Sequence, residues 1–415
     1  MAILRPFKAM RPKEEYACKI AALPYDVMDS EEARDMAKDN PYSFLHVDKA
    51  EIDLAENINV YDKKVYEKAR ENLDKLVEEG AMIQDKKANL FIYRLIMNGR
   101  MQTGIVGCTS IDDYMNDVIK KHEHTRAEKE ADRINHVDVC DAHTGPIFLT
   151  YRYNENIDMI INKWTKNDPL YEFTAEDGVE HIVWTVDDDR TIEEVGDVFG
   201  NIESLYIADG HHRAASAVKV GLKRRKQNPD YTGEEEFNYF LAVAFPDRDL
   251  AIMDYNRVVF DVNDLEKEEY INMVRENFDM IVHEDKAAFK PQRKHTYGMY
   301  FEGRWYKLRA KIGTFNHNDP VDRLDVSILQ NNLLKPVLGI EDPRTDRRID
   351  FVGGIRGVKE LERRVHKNND GVAFSMHPTT INDLMAIADA KKVMPPKSTW
   401  FEPKLRSGLF IHLLT

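Results

Sequence analysis

Leu205-Tyr206-Ile207-Ala208-Asp209-Gly210-His211-His212-Arg213-Ala214-Ala215-Ser216-Ala217-Val218 reads as a strand, a tight turn and the start of a helix. A strand-like run enters an Asp-Gly turn, strong helix formers follow, and Gly221 stands where it could end the helix they begin. A turn of this kind aims backbone N–H groups and the positive end of the helix dipole at one point, and His211, His212 and Arg213 add side-chain donors there. An anionic ligand, a phosphate above all, suits such a place. Asp209 does not suit a pure anion clamp: an acid beside a phosphate needs a cation or a hydroxyl to face, which points to Mg²⁺ or a polar substrate. The competing reading makes Asp209 a helix cap and the histidines exposed loop residues.

The chain around this stretch has 415 residues, enough for a large core and for two or three lobes. Hydrophobic residues make up 42% and charged residues 32%, and 73 acids against 59 bases give a formal charge of −14. That balance disfavours nonspecific binding to nucleic acid or to an anionic membrane. Cys18, Cys108 and Cys140 are scattered without CxxC spacing, as expected of reduced thiols in a cytoplasmic protein. The first residues show no signal-peptide core, and no apolar run approaches the roughly 18 residues of a membrane span.

Outward from the turn, the patterning predicts α+β organisation. Toward the N-terminus we expect a short strand over 2–8, a helix over 30–37 begun by Ser30, and a strand over 41–47. A helix over 61–79 is marked by Val65, Tyr66, Ala69, Leu73 and Leu76, with Gly80 past its end. Strands over 89–97 and 103–109 are joined through Asn98-Gly99, a strong hairpin signal. Residues 127–138 read as an exposed charged helix, 145–151 as a buried central strand, and 240–245 as a strand covered on both faces. Between them, 157–164 and 191–199 read as helices and 180–186 as a strand. Lys223-Arg224-Arg225-Lys226 reads as a solvated face or loop. Further on come a strand region over 249–259, a helix over 264–278, a hairpin at Glu302-Gly303, helices over 324–334 and 379–388, and a last strand over 408–414. Arg344, Arg347 and Arg348 sit in a mixed-charge loop, better read as paired surface charges than as a second phosphate site.

A second stretch carries chemistry: Lys120-Lys121-His122-Glu123-His124-Thr125-Arg126. His122 and His124 could supply two metal ligands from one strand face, although no third ligand follows at a recognisable spacing. Glu123 could instead remove a proton from a substrate hydroxyl. The third reading is a solvated, charged helix start, and the residues alone leave these open.

His122-Glu123-x-Thr125, the charged helix, the β-run from Gly145-Pro146-Ile147 and finally Asp209-Gly210-His211-His212-Arg213, in that order, resemble the ParB/sulfiredoxin-like superfamily and within it the free L-serine kinases. The whole chain also resembles a bacterial family of unknown function with the same turn and an element like Pro24-Tyr25-Asp26 near its start. The resemblance implies a central ParB/sulfiredoxin-like mixed sheet with helices, over 111–260 with an insertion near 152–200, flanked by α+β lobes over 1–110 and 261–415. It implies Glu123 as the base that deprotonates a substrate hydroxyl, with His124 and Thr125 beside it on the substrate. It further implies Asp209 as a second acid near the hydroxyl or as a ligand of Mg²⁺, and Gly210, His211, His212 and Arg213 as binders of nucleotide phosphates. The implied activity is phosphoryl transfer from ATP or ADP, with Mg²⁺, to free L-serine or a similar metabolite. Its partners would be a small-molecule substrate and a nucleotide, without nucleic acid or membrane. The alternatives are a ParB-like nucleotide-binding regulator, disfavoured by the acidic charge and the lack of an evident helix-turn-helix, and a metal-dependent phosphohydrolase using His122, His124, Asp209 and His211.

Overall fold

The computed structural model describes residues 1–285, 287–368 and 371–415. The fold is α+β, and the chain divides into two compact units, one made of residues 1–250 and 403–415, the other of 251–402.

The first unit is built on an eight-stranded mixed sheet. In chain order its strands are β1 (Leu90–Met97), β2 (Arg100–Ser110), β3 (Ile119–Lys120), β4 (Ile147–Tyr151), β5 (Tyr171–Thr174), β6 (Glu180–Val186), β7 (Leu205–Asp209) and β8 (Tyr239–Pro246). Across the sheet the order is β3-β7-β4-β8-β2-β1-β6-β5, so strands from either side of residue 110 share one layer. β3 with β7 and β4 with β8 run parallel, and the other pairs are antiparallel. β4 and β8 are buried along their lengths apart from Tyr239, as their unbroken apolar sequences require. The β1–β2 hairpin turns at Asn98 and Gly99, both in the left-handed region at φ 53° and 76°.

Six helices complete what positions the site: α1 (Ser30–Ala37), α2 (Lys63–Glu78), α3 (Ala127–Cys140), α4 (Glu155–Trp164), α5 (Asp189–Gly200) and α6 (His211–Gln227). One core joins the sheet residues Ile92, Ile105, Leu149, Ile207 and Phe240 to apolar residues of α4, α5 and α6. A second core gathers α1, α2 and the segment around Phe44 to Ile52.

Several expectations need correction. α1 is capped by Asp29, not Ser30: the Asp29 carboxylate accepts from the N–H groups of Glu31 and Glu32, and Glu32 returns the bond in a capping box. Residues 41–47 do not form a strand; Leu45–Asp48 is a helical turn, because Phe44, Leu45 and Val47 all bury on one side. α3 is not an exposed charged helix, since it buries Glu130, Asp132, Arg133 and His136. The expected strand over 408–414 narrows to His412–Leu413. Residues 2–8 form no strand; they meet the sheet through isolated bridges at Arg5 and Phe7 and through packing of Leu4 and Phe7.

Gly221 does not end α6. The helix continues to Gln227, and the basic run becomes part of it: Lys223 and Arg224 pair with Asp138, and Arg225 forms a bidentate pair with Asp112. The reason for a glycine is close packing. A Cβ at Gly221 would stand 2.5 Å from the Phe237 carbonyl oxygen and 2.8 Å from Ile111 Cδ1.

The second unit centres on a six-stranded antiparallel sheet, with residues 278–282, 304–310, 296–301, 372–375, 255–259 and 349–353 in that order. Its hairpin turns at Glu302-Gly303 as expected. Arg344 pairs with Asp342, and Arg348 with Asp346 and Asp261.

The Gly221 contact yields a test. A helix interior normally gains about 1 kcal/mol from Gly→Ala, whereas overpacking against fixed backbone costs about 1–3 kcal/mol. Gly221→Ala is therefore expected to lower the urea midpoint, and a raised midpoint would show that the Phe237 segment yields freely.

Candidate functional site

β7 ends in a register shift between Ile207 and Asp209 against β4, a bulge that re-aims Asp209 just before the turn. Gly210 follows at φ 93°, a conformation that side-chain-bearing residues rarely adopt, and α6 begins at His211. No side chain caps this helix start. The first-turn N–H groups of α6, which lack intrahelical acceptors by geometry, stand at the end of β7 with the positive end of the helix dipole. Beside them, Arg213 donates to the Pro146 carbonyl, while its buried Nε has no hydrogen-bond partner among the described residues.

Both oxygens of Asp209 are engaged. Oδ1 accepts from the Gly210 N–H at 2.8 Å, and Oδ2 accepts from Lys404 Nζ at 2.9 Å. Burial works to raise the Asp209 carboxyl, but Lys404 and Arg213 outweigh it and hold the group well below the usual carboxylate range.

The structure brings the two sequence stretches together. β3 pairs in parallel with β7, so the chain leaving it at residue 121 runs beside the end of β7. The two histidines of the turn face this segment. His212 Nε2 accepts from the Arg126 N–H at 3.0 Å, and His211 Nε2 lies 3.5 Å from the His122 backbone nitrogen, at the outer limit of such a bond. The rings of His122 and His211 meet edge to face with centroids 4.4 Å apart. Burial pushes His122 down to about 4, partly opposed by Asp209 and the Ile207 carbonyl, and burial with the neighbouring His122 sets His211 well below its ordinary value. Both imidazoles are therefore neutral at pH 7.

Glu123 is partly exposed and has a carboxylate oxygen within 4.8 Å of ring nitrogens of both His122 and His211. His124 is exposed. Thr125 donates to Glu130 at 2.7 Å, and Glu130 pairs with Lys219 and accepts Ser216 Oγ at its carbonyl, so Thr125 ties α3 to α6. Of the residues expected from the sequence, Glu123, Asp209, Gly210, His211, His212 and Arg213 converge, with His211 and His212 turned toward the 122–126 backbone.

Lys404 and Arg133, which the sequence does not single out, also belong here, together with Tyr25. Lys404 lies 195 positions beyond its partner Asp209, and no local pattern marks it. Tyr25 and Arg133 line a small cavity with His136, His143, Gly145 and Arg213, and the Arg133 guanidinium sits 4.0 Å over the Tyr25 ring. The Pro24-Tyr25-Asp26 element thus reaches the same neighbourhood as the Asp-Gly-His-His-Arg turn.

Comparison with known proteins gives a family. Residues 4–327 match the model of a protein family of unknown function, DUF1015. The chain belongs to this family. No curated protein matches it. Among solved structures, a free serine kinase in complex with ADP is 13% identical, with 72% of this chain and 92% of that chain covered and a TM-score of 0.36. A conserved hypothetical protein from Pyrococcus furiosus is 14% identical over 74% of this chain and 95% of that chain, with a TM-score of 0.36. SbnI from Staphylococcus aureus with a C-terminal truncation is 9% identical over 73% and 85%, with a TM-score of 0.38. These likenesses are loose, and the chemistry below rests on the residues of this chain. Among the described residues no helix is long and apolar enough to cross a membrane.

The Asp209–Lys404 pair sets a pH-dependent expectation. Because the folded-state value of Asp209 is depressed, its contribution is present above the unfolded value near 3.8 and is lost as pH falls below it. Lys404→Met, which removes the charged partner of the carboxylate, should cost about 3 kcal/mol at pH 7, with the difference shrinking below pH ~4. Chemical denaturation at both pH values checks this, and equal losses at both would remove the ion pair as the cause.

Proposed function

We propose that this family member is a phosphotransferase that moves a phosphoryl group from ATP or ADP to the hydroxyl of free L-serine or a similar small metabolite. The observation that carries the reading is the uncapped start of α6 behind a left-handed glycine, with the Arg213 and Lys404 cations beside it and the Glu123 carboxylate brought up by β3.

Phosphoryl transfer asks the protein for in-line positioning, for charge neutralisation around the phosphates and for a group that takes the nucleophile's proton. In this reading the first-turn amides of α6 and Arg213 grip the phosphates. Glu123 accepts the hydroxyl proton as the acceptor oxygen attacks the terminal phosphorus, and the shortened nucleotide leaves with the bonding electron pair. His211 and His212 hold the 122–126 segment against the turn and so fix where Glu123 stands. His124 and Thr125 flank the acceptor side in sequence, with Thr125 acting through Glu130. Asp209 sets the turn through Gly210 and keeps Lys404 in place. Each of its oxygens already accepts one hydrogen bond, with Lys404 on Oδ2, and no step here runs through Mg²⁺.

Phosphorus NMR of the purified chain with Mg²⁺, L-serine and ATP or ADP tests the reading. A phosphoserine signal is expected with one of the two nucleotides. Glu123→Gln should reduce its rate by at least roughly 100-fold, the scale of one general base, with nucleotide affinity nearly unchanged. Nucleotide consumption that ignores serine and other hydroxyl metabolites would point to hydrolysis instead, and full activity of Glu123→Gln would remove Glu123 as the base.

A further inference from the structure

His122 is 1% exposed, and neither of its ring nitrogens meets full hydrogen-bond geometry among the described residues, the Ile207 carbonyl being only close enough to favour the protonated ring. A buried imidazole without a well-formed hydrogen bond is unusual, because burial without one costs free energy that folding does not recover. Its neighbours are equally specific. His211 is 6% exposed, and its Nε2 has only the long contact to the His122 N–H. One potential ligand atom each from His122, Glu123 and His211 lie within 4.8 Å of one another. Two of the three residues lie in the loop two and three positions past the end of β3, and the third is on the first turn of α6.

We propose that His122, Glu123 and His211 form a binding site for a divalent first-row transition metal ion. Two neutral imidazoles and one carboxylate suit Zn²⁺, Mn²⁺, Fe²⁺ or Co²⁺ and not Mg²⁺, which prefers an all-oxygen shell. An ion among them would give His122 a strong partner and replace the long contact at His211. Three protein ligands leave at least one position of a tetrahedral site open, the arrangement that admits a water or a substrate oxygen. The binding site itself does not depend on phosphoryl transfer. If that reading also holds, the open position is where the acceptor hydroxyl would bind, and coordination would lower its affinity for its proton.

The test uses the full chain, purified without a histidine tag, stripped with chelator and titrated with Zn²⁺ and with Co²⁺. The expected result is about one ion bound per chain, with visible Co²⁺ bands of nitrogen and oxygen coordination in a low-symmetry site. Glu123→Ala, at a partly exposed position that should not disturb folding, is expected to weaken binding by roughly tenfold or more. His122→Asn should abolish the Co²⁺ bands, with circular dichroism checking that the variant is folded. No uptake by the stripped wild-type chain, or uptake unchanged in Glu123→Ala, overturns the site. Phosphoserine formation by a chain that takes up no such ion would overturn this inference and leave the phosphotransferase standing. Stoichiometric, Glu123-dependent uptake without phosphoryl transfer would do the reverse.

Discussion

Everything at the candidate site depends on one backbone constraint: β7 must end and α6 must begin within a single residue, and the chain makes that change of direction at Gly210 with φ 93°. A Cβ there would be strained and would stand 3.1 Å from Arg213 Nε. The bulge before it turns Asp209 toward Lys404, and the turn leaves the helix start uncapped. Glycine at the N-cap leaves the helix start without a side-chain acceptor at little cost. Here the uncapped amides stand next to two cations, which is the arrangement an anion completes.

The second constraint is the parallel pairing of β3 with β7, which is only two residue pairs long yet delivers residues 121–126 to the turn. The histidines then serve two ends. His212 fixes the segment through the Arg126 N–H, and His211 stacks edge to face on His122. Their burial keeps His122 and His211 neutral, so they act as acceptors or ligands and add little positive charge for phosphates. The cationic role passes to Arg213 and Lys404. A site with cations on one side and neutral nitrogen ligands beside a carboxylate on the other separates anion binding from proton removal.

Local signals made much of this legible. The Asp-Gly turn between an apolar strand and an alanine-rich helix, the Asn98-Gly99 hairpin and the continuous apolar runs of β4 and β8 all state their structure in adjacent residues. What was not legible came from distant partners. Gly221 reads as a helix stop from its neighbours alone, and only the Phe237 carbonyl, sixteen positions away, shows that it is a packing glycine. Phe44 to Val47 has strand-like composition, but burial against α1 and α2 makes it helical. α3 looks solvated because its charges are many; Arg133 is buried over Tyr25 and beside Asp132, which sequence spacing cannot show. Lys404 comes from the far end of the chain, within the segment 403–415 that returns to the first unit. The His122, Glu123 and His211 grouping was partly visible: the sequence offered His122 and His124 as a ligand pair, and His122, His124, Asp209 and His211 as a metal set, whereas the pairing of β3 with β7 brings His122 and Glu123 to His211.

The central claim is that the start of α6 holds nucleotide phosphates, and a crystal structure of the chain with ADP tests it most directly. The account predicts phosphate oxygens within hydrogen-bond distance of the His211 to Arg213 backbone amides and of the Arg213 guanidinium. ADP bound elsewhere, with those amides facing only water at saturating nucleotide, would contradict it.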